Sequence, residues 1–347
     1  MDILNFRSDT QTLPTEEMLD AMRVAPLGDD VFGEDPTVKK LEAMAAAKMG
    51  REAATLVISG TMGNLVALMT HASGLGGEAI VDPEAHIFYY EGGGLCSIAG
   101  WTPMPVMSHA GMLDPDEVAA AVRKPNIHFP SSRLLCMENT HNRSGGRVVP
   151  LDLHKRLCNV AHERGLAVHL DGARIFNAAI AAGVPASAYA EDCDSVQFCL
   201  SKGLSCPLGS VLVGSAAFIE KAKFHRKRVG GGMRQAGIIA AAGIVALETM
   251  IDRLADDHAN AKTLANGIDE IDGLSVDMTN VETNMVNVDH TGTGLTTAEV
   301  VARIKAAGVL VGERAPSAFR MVVNRHAGRP EIEEAISRVR QAVRTAD

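Results

Sequence analysis

The residue in this sequence best suited to attack a carbonyl group is Lys202. It follows the strand-length apolar run 195–200 and precedes a glycine that leaves space beside its amine. Partial burial lowers the pKa of an amine, and an uncharged lysine forms covalent adducts with carbonyl carbons. Most lysines beside a glycine are exposed surface residues, so this hypothesis depends on partners elsewhere in the chain.

Asp171 is the first such partner, because it ends the apolar run 167–170. Ligands of open α/β sheets bind at the carboxyl ends of the strands. A carboxylate there could keep the nitrogen of a cationic heterocycle protonated. The alternative is that Asp171 caps the helix predicted to begin near Arg174.

The segment 59–64, Ser-Gly-Thr-Met-Gly-Asn, joins a predicted strand to a predicted helix. Free backbone N–H groups and the helix dipole make such a turn a binding site for a phosphate-sized anion. The segment matches neither the Walker loop nor the G-x-G-x-x-G pattern. A turn with a purely structural role is the alternative.

Two further features could complete a cofactor site. His86 follows the strand-like run 79–81 and is therefore expected near the same edge of the sheet, although a lone histidine there is more often structural. The basic, glycine-rich run 226–235 is either a solvated face or a place where cations approach a phosphate closely. A nucleophilic lysine, a strand-end aspartate, an anion-binding turn and basic residues together predict pyridoxal 5'-phosphate as the cofactor.

Strand-like and helix-like runs alternate through most of the chain, which predicts an α/β fold with a mostly parallel sheet between helices. After about residue 243 the pattern changes to that of a smaller α+β domain. We expect three parts: residues 1–25 as an N-terminal arm and first helix, 26–245 as the large cofactor-binding domain, and 246–347 as the small C-terminal domain.

Composition excludes several classes of protein. A net charge of −9 argues against nucleic acid or an anionic membrane as a partner. Every apolar run is shorter than the ~20 residues that a membrane span needs. The six cysteines lack the spacing of a disulfide framework or a zinc site, so no metal is expected. With no signal-peptide pattern at the N-terminus, these features predict a cytoplasmic enzyme that acts on a small molecule.

Six segments, in order along nearly the whole chain, resemble the threonine aldolase family of fold-type I pyridoxal-phosphate enzymes, within the β-eliminating lyase group. Several of these segments are long and specific to the family, and the conclusion depends on their order as well as their content. They are residues 7–10, 28–37, 138–142, 169–174, 201–204 and 230–235.

The resemblance implies roles for five residues around the cofactor. Lys202 would hold it covalently, and Asp171 would pair with its ring nitrogen. Gly60 and Thr61 would bind its phosphate, and His86 would stack over its ring.

The resemblance also implies a substrate site and an assembly. Ser8, Arg174 and Arg320 would hold the substrate carboxylate, Arg174 lying at the cofactor site as well. Arg234 and Lys227 would reach the phosphate from a neighbouring subunit of a homotetramer, a dimer of dimers with active sites at the subunit interface.

Members of this family cleave β-hydroxy-α-amino acids such as L-threonine and L-allo-threonine to glycine and an aldehyde. His86 or His128 is the expected base, since a histidine near pH 7 suits proton removal from a hydroxyl. Two candidate bases predict weak selectivity at the β-carbon. Phe32 stands where many relatives have tyrosine, which leaves the preferred side chain of the substrate open.

Other activities are alternatives to this assignment. A preference for phenylserine-type substrates with a bulky β-substituent is one, and another pyridoxal-phosphate reaction, such as β-elimination or transamination, is a second. A nicotinamide-dependent oxidoreductase would carry G-x-G-x-x-G near its start, and this chain has none. A non-catalytic oligomeric binding protein would leave Lys202 without a purpose.

Overall fold

The computed structural model describes residues 2–72, 77–124 and 126–344. Its strands, in chain order, are β1 Leu4–Asn5, β2 Ala53–Val57, β3 Glu78–Val81, β4 Thr102–Pro105, β5 Ser132–Glu138, β6 Ala167–Asp171, β7 Ser195–Cys199, β8 Ser210–Gly214, β9 Met285–Asp289, β10 Val309–Leu310, β11 Gly312–Ala315 and β12 Ala318–Val322. Its helices are α1 Glu16–Val24, α2 Pro36–Lys48, α3 Gly60–His71, α4 His86–Tyr89, α5 Gly94–Ser97, α6 Pro115–Ala121, α7 Leu151–Glu163, α8 Ile175–Ala182, α9 Ser187–Ala190, α10 Ala216–Arg228, α11 Gly237–Thr249, α12 Leu254–Asp269, α13 Thr297–Ala306 and α14 Arg329–Val343.

The chain forms two compact units. The larger one contains residues 13–144 and 148–251, and the smaller one contains the described residues of 1–12, 145–147 and 252–347. The N-terminal segment therefore belongs to the same unit as the C-terminal third of the chain. The domain boundaries near residues 25 and 245 stay predictions.

The larger unit is built on a seven-stranded sheet of order β2-β8-β7-β6-β5-β3-β4. Among its described strands, β8 runs in the direction opposite to the other six. Strands β6 and β7 are almost wholly buried, as expected for central strands covered on both faces. The predicted α/β class with a mostly parallel sheet is confirmed.

The register of the central strands brings three polar residues together at one edge. Glu138 of β5 pairs with Asp171 of β6, and Asp171 pairs with Gln197 of β7. Each lies at or near the carboxyl end of its strand, where an open α/β sheet binds ligands. This edge positions the candidate site.

The smaller unit contains an antiparallel sheet of order β11-β12-β9, a parallel pair of β1 with β10, and the helices α12 to α14. Its core is formed by buried apolar side chains such as Phe6, Leu264, Phe319 and Ile332. In the part of the chain that the structure describes, no helix is both long and apolar enough to cross a membrane.

Candidate active site

A cavity of about 170 Å³ lies at the carboxyl edge of the sheet in the larger unit. The end of β6, the end of β7 with the turn after it, the first turns of α3, and the segment around α4 form its wall. The lining residues are Gly60, Thr61, Asn64, His86, Glu91, Asp171, Ala173, Gln197, Cys199, Ser201 and Lys202. Five residues that the sequence singled out, Gly60, Thr61, His86, Asp171 and Lys202, are thus brought to one cavity.

Lys202 is held by the turn that follows β7. The Ser205 N–H donates to the Lys202 carbonyl at 2.8 Å, and the Cys206 N–H donates to the Leu200 carbonyl at 3.0 Å. Ser205 closes this turn in the left-handed conformation, with φ of 67°. The turn leaves the Lys202 side chain half-buried at the cavity wall.

Asp171 is buried and accepts three hydrogen bonds. Its Oδ1 accepts from Gln197 Nε2 at 2.6 Å and from the Ala173 N–H at 3.0 Å, and its Oδ2 accepts from Asn64 Nδ2 at 2.8 Å. Helix α8 begins only at Ile175, with Arg174 at its N-cap position. The alternative of a helix-capping aspartate is therefore wrong, and Asp171 shapes the turn before the helix instead.

The charge of Asp171 is stabilised from both sides. Burial by itself raises the pKa of this carboxyl, but the charges of His86 and Lys202 and the hydrogen bonds from Asn64 and Gln197 outweigh burial and lower it. An ionised carboxylate is therefore favoured at this position. It could hold a cationic nitrogen within the cavity.

His86 begins α4 and is fixed at two atoms. Its backbone N–H donates to Glu138 Oε2 at 2.5 Å, and its Nδ1 lies 2.9 Å from Glu91 Oε1. Burial lowers the pKa of the imidazole, yet the hydrogen bond to Glu91 and the charges of Asp171, Glu91 and Glu138 raise it overall. With Nδ1 donating to Glu91, a neutral His86 keeps the lone pair on Nε2 for a proton.

The N-terminus of α3 forms another part of the wall, next to β7. Ser59 caps the helix, its Oγ accepting from the Met62 N–H at 3.2 Å, while Gly60 and Thr61 line the cavity at the first helical positions. A Cβ added to Gly60 would lie 2.8 Å from Cys199 Sγ. Glycine is therefore required for the helix to approach β7 this closely, and its first turn is suited to an anion.

The remaining predicted residues of the larger unit lie outside this cavity lining. Arg174 is buried at the start of α8. Lys227, at the end of α10, is exposed, and Arg234 pairs with Asp29 at 3.0 Å. His128 is exposed in the loop between α6 and β5, where its N–H donates to an asparagine side chain.

Ser8 and Arg320 belong to the smaller unit. Ser8 Oγ accepts from the Thr10 N–H at 3.2 Å and caps a short 3-10 turn. Arg320 lies in β12, opposite Asn287 of β9. Their assignment to the substrate carboxylate stays a prediction.

Sequence reasoning missed four polar residues of the site: Asn64, Glu91, Glu138 and Gln197. Gln197 carried a signal that could have been used, since it is a polar residue inside an apolar strand and is wholly buried. Glu91 carried a weaker one, five positions after His86. Asn64 ends the 59–64 turn that the sequence singled out, but nothing local indicated its hydrogen bonds to Asp171 and Glu91, because those partners are distant in sequence.

The chain resembles known proteins throughout its length. The beta-eliminating lyase family model matches residues 5–291. Low-specificity L-threonine aldolase 1 of Arabidopsis thaliana is 43% identical over 349 residues, covering 99% of this chain and 98% of that protein. The low specificity L-threonine aldolase of Escherichia coli K12 is 45% identical over 287 residues, covering 82% and 84%.

Solved structures share the fold at low sequence identity. Leishmania major threonine aldolase matches with a TM-score of 0.85 at 17% identity, covering 98% of this chain and all of that one. Aspartate aminotransferase from Rhizobium meliloti matches with a TM-score of 0.68 at 16% identity, covering 99% and 91%. The fold-type I assignment is thereby confirmed, and the chain belongs to the beta-eliminating lyase family and, within it, to the threonine aldolases.

Proposed function

We propose that this protein cleaves L-threonine, L-allo-threonine and related L-β-hydroxy-α-amino acids to glycine and an aldehyde, with pyridoxal 5'-phosphate as cofactor. The observation that carries the proposal is the meeting of Lys202, Asp171 and His86 in one cavity that is also lined by a helix N-terminus. The names of the relatives at 43–45% identity support the same reaction.

The residues present fit this cofactor. Lys202 would hold it covalently, the ionised Asp171 would pair with its ring nitrogen, and the first turn of α3 at Gly60 and Thr61 would bind its phosphate. His86 would cover the ring. When bound, the cofactor supplies the electron sink for the pair of electrons released as the bond between Cα and Cβ breaks.

His86 is the base that the geometry favours. Its Nδ1 donates to Glu91, which fixes the tautomer with a free Nε2 and stabilises the imidazolium formed when Nε2 takes the hydroxyl proton. His128 is exposed in this chain and is the alternative base. Ser8, Arg174 and Arg320 would align the substrate through its carboxylate.

The site would be completed by another copy of the chain. Lys227 and Arg234 lie outside the cavity lining of their own chain, which is consistent with their serving the phosphate site of a neighbouring subunit in a homotetramer. Mixing inactive Lys202→Ala and Arg234→Ala subunits should then restore part of the activity in hybrid assemblies. A cytoplasmic location belongs to the same proposal, consistent with the six unpaired cysteines that the structure describes.

A second candidate is another pyridoxal-phosphate β-elimination, because the matching family model has that description. Product analysis separates the two: an aldolase releases glycine and an aldehyde, whereas a β-eliminating lyase releases ammonia and a keto acid. The substrate panel should include phenylserine, since a bulky β-substituent is the main variant of the aldolase proposal.

Borohydride reduction of the purified protein tests the cofactor and its lysine together. We expect a visible absorption band that reduction bleaches, and a pyridoxyl adduct on Lys202 by peptide mass spectrometry. Lys202→Ala should fold, lack the adduct and lose turnover. The exposed-lysine control Lys223→Ala should fold, carry the adduct on Lys202 and keep its turnover. An adduct on another lysine would overturn the assignment.

A further inference from the structure

We propose that His169 is a positioning residue for the cofactor site, acting through Asn64. The inference rests on the proposed function, since it concerns the carboxylates that would face the cofactor. His169 itself lies outside the cavity lining and is fully buried behind it. Its effect would pass along a chain of hydrogen bonds that ends on Asp171 and Glu91.

The chain of hydrogen bonds joins one helix to two strands. His71 Nε2 lies 2.8 Å from Ser195 Oγ, which lies 2.8 Å from His169 Nδ1. His169 Nε2 lies 3.1 Å from Asn64 Oδ1. Asn64 Nδ2 then lies 2.8 Å from Asp171 Oδ2 and 2.8 Å from Glu91 Oε1.

The residues of this chain of hydrogen bonds lie on one face of β6 and β7 and on the face of α3 that contacts it. His169 pairs with Ser195, and two residues further along each strand Asp171 pairs with Gln197. Residues two apart in a strand point to the same face. Asn64 and His71, seven residues apart on α3, lie on one face of that helix and contact this face of the sheet.

The two carboxylates at the end of the chain determine which group donates in each of its hydrogen bonds. Carboxylate oxygens accept, so the amide nitrogen of Asn64 must face Asp171 and Glu91, and its oxygen must face His169. His169 Nε2 must therefore carry a proton. Its Nδ1 must then accept from the Ser195 hydroxyl, whose oxygen accepts in turn from a proton on His71 Nε2.

This assignment requires a neutral His169 and a proton on Nε2 of His71, and it agrees with the surroundings of both rings. Burial, with a further contribution from nearby His71, lowers the pKa of His169 to about 3 despite the opposing charge of Asp171 and a hydrogen bond to the Ser195 backbone. Burial also lowers the pKa of His71 to about 4 despite the opposing charge of Asp194. Ser195 is also fully buried, so that water cannot replace a missing partner.

As a consequence, the side-chain amide of Asn64 has one fixed orientation at the site. If Asn64 flipped, its oxygen would face two carboxylates and its nitrogen would face the His169 N–H, so all three contacts would become repulsive. The His169 Nε2–H therefore reinforces the orientation that the carboxylates require, in which Asn64 donates to both of them at once. The side-chain amide of Asn64 thereby holds both Asp171 and Glu91, the partner of His86.

A pair of substitutions tests whether the donor on His169 matters. His169→Phe removes it, whereas His169→Gln can still donate to Asn64 Oδ1. We expect the Kd of the apoenzyme for pyridoxal 5'-phosphate to rise about 5- to 150-fold in the first variant, because Asn64 no longer holds Asp171 in place, and to recover largely in the second. His154→Phe, at another buried histidine of the same unit, should leave this Kd within twofold.

Nitrogen-15 NMR of histidine-labelled holoenzyme supplies a readout independent of activity. We expect His169 and His71 to be neutral and protonated at Nε2 from pH 5 to 8. If His169→Phe fails to fold, Ser195→Ala serves in its place, and we expect it to disturb this protonation state at His169. A proton on His169 Nδ1, or equal cofactor affinity in the Phe and Gln variants, overturns the inference. If Lys202 still carries the cofactor in that case, the proposed function stands without it.

Discussion

Arg226 provides the sharpest test of how the larger unit is held together. It is buried in the last turn of α10, where its guanidinium pairs with Asp30 at 2.8 Å and donates to the Leu56 carbonyl at 2.7 Å. Asp30 belongs to the segment 28–37, one of those that resemble the family, and Leu56 belongs to edge strand β2. Arg226→Ala therefore leaves a nearly buried carboxylate and a strand carbonyl without their donor.

The expected loss follows from those two orphaned groups. Removing one partner of a buried ion pair costs about 3–5 kcal/mol, because the other charge stays buried and unpaired. The Leu56 carbonyl adds to this cost, and water entering the vacated space offsets part of it. We therefore expect the free energy of unfolding of the larger unit to fall by about 3–5 kcal/mol.

Guanidinium chloride unfolding followed by tryptophan fluorescence measures this loss. Trp101 is the single tryptophan, is buried in the larger unit and donates its indole N–H to the Leu68 carbonyl at 2.9 Å, so its emission reports the unfolding of that unit. The control is Arg228→Ala, two residues away and exposed, for which the loss should stay below about 0.5 kcal/mol.

A double-mutant cycle with Asp30→Asn separates the ion pair from other effects of truncation. The combined variant should lose less than the sum of the two single losses, by about 0.5–3 kcal/mol, because the unpaired charge has been removed. Equal losses for Arg226→Ala and Arg228→Ala at the same protein concentration would refute the reasoning.

Three further predictions concern the site. Asp171→Asn should lower kcat about 10²–10³-fold with a smaller change in KM, because a neutral amide cannot hold a ring nitrogen protonated; a near-normal kcat would contradict the role of Asp171. Gly60→Ala should weaken cofactor binding, since overpacking against Cys199 costs about 1–3 kcal/mol, and Cys199→Ala should relieve it; an unchanged Kd in the single variant would show that the helix can shift. The kcat/KM values for L-threonine and L-allo-threonine should differ by roughly tenfold to thirtyfold at most, and His86→Ala should lose more activity than His128→Ala; a ratio in the thousands would indicate a dedicated single-isomer aldolase.

Local sequence patterns were sufficient to identify the candidate residues whose proposed role depends on their own side chain and on their position at the end of a strand. Lys202 and Asp171 stand next to strand-length apolar runs, and the end of a parallel strand is a binding edge whatever the rest of the fold does. The glycine of the 59–64 turn is likewise readable, because a helix N-terminus carries its free N–H groups with it. The alternation of strands and helices is also a local pattern, and it predicted the mostly parallel sheet.

The limits of local pattern are visible at Asp171. The sequence left two roles open for this carboxylate, and the structure excluded the helix cap because α8 begins four residues later, at Ile175. Its side-chain hydrogen-bond donors lie 26 residues away at Gln197 and 107 residues away at Asn64. Only the position of β6 between β5 and β7, with α3 packed on the same face, brings them into contact.

The sequence by itself determined which candidate groups the protein presents, because residue type and the end of a strand identify a candidate nucleophile, a carboxylate and a turn suited to an anion independently of long-range pairing. The tertiary structure alone decided which groups set the charge and orientation of those residues. Strand order and register place Glu138, Asp171 and Gln197 side by side, and packing of α3 adds Asn64. Such contacts depend on the global arrangement of strands, which short-range periodicity does not encode.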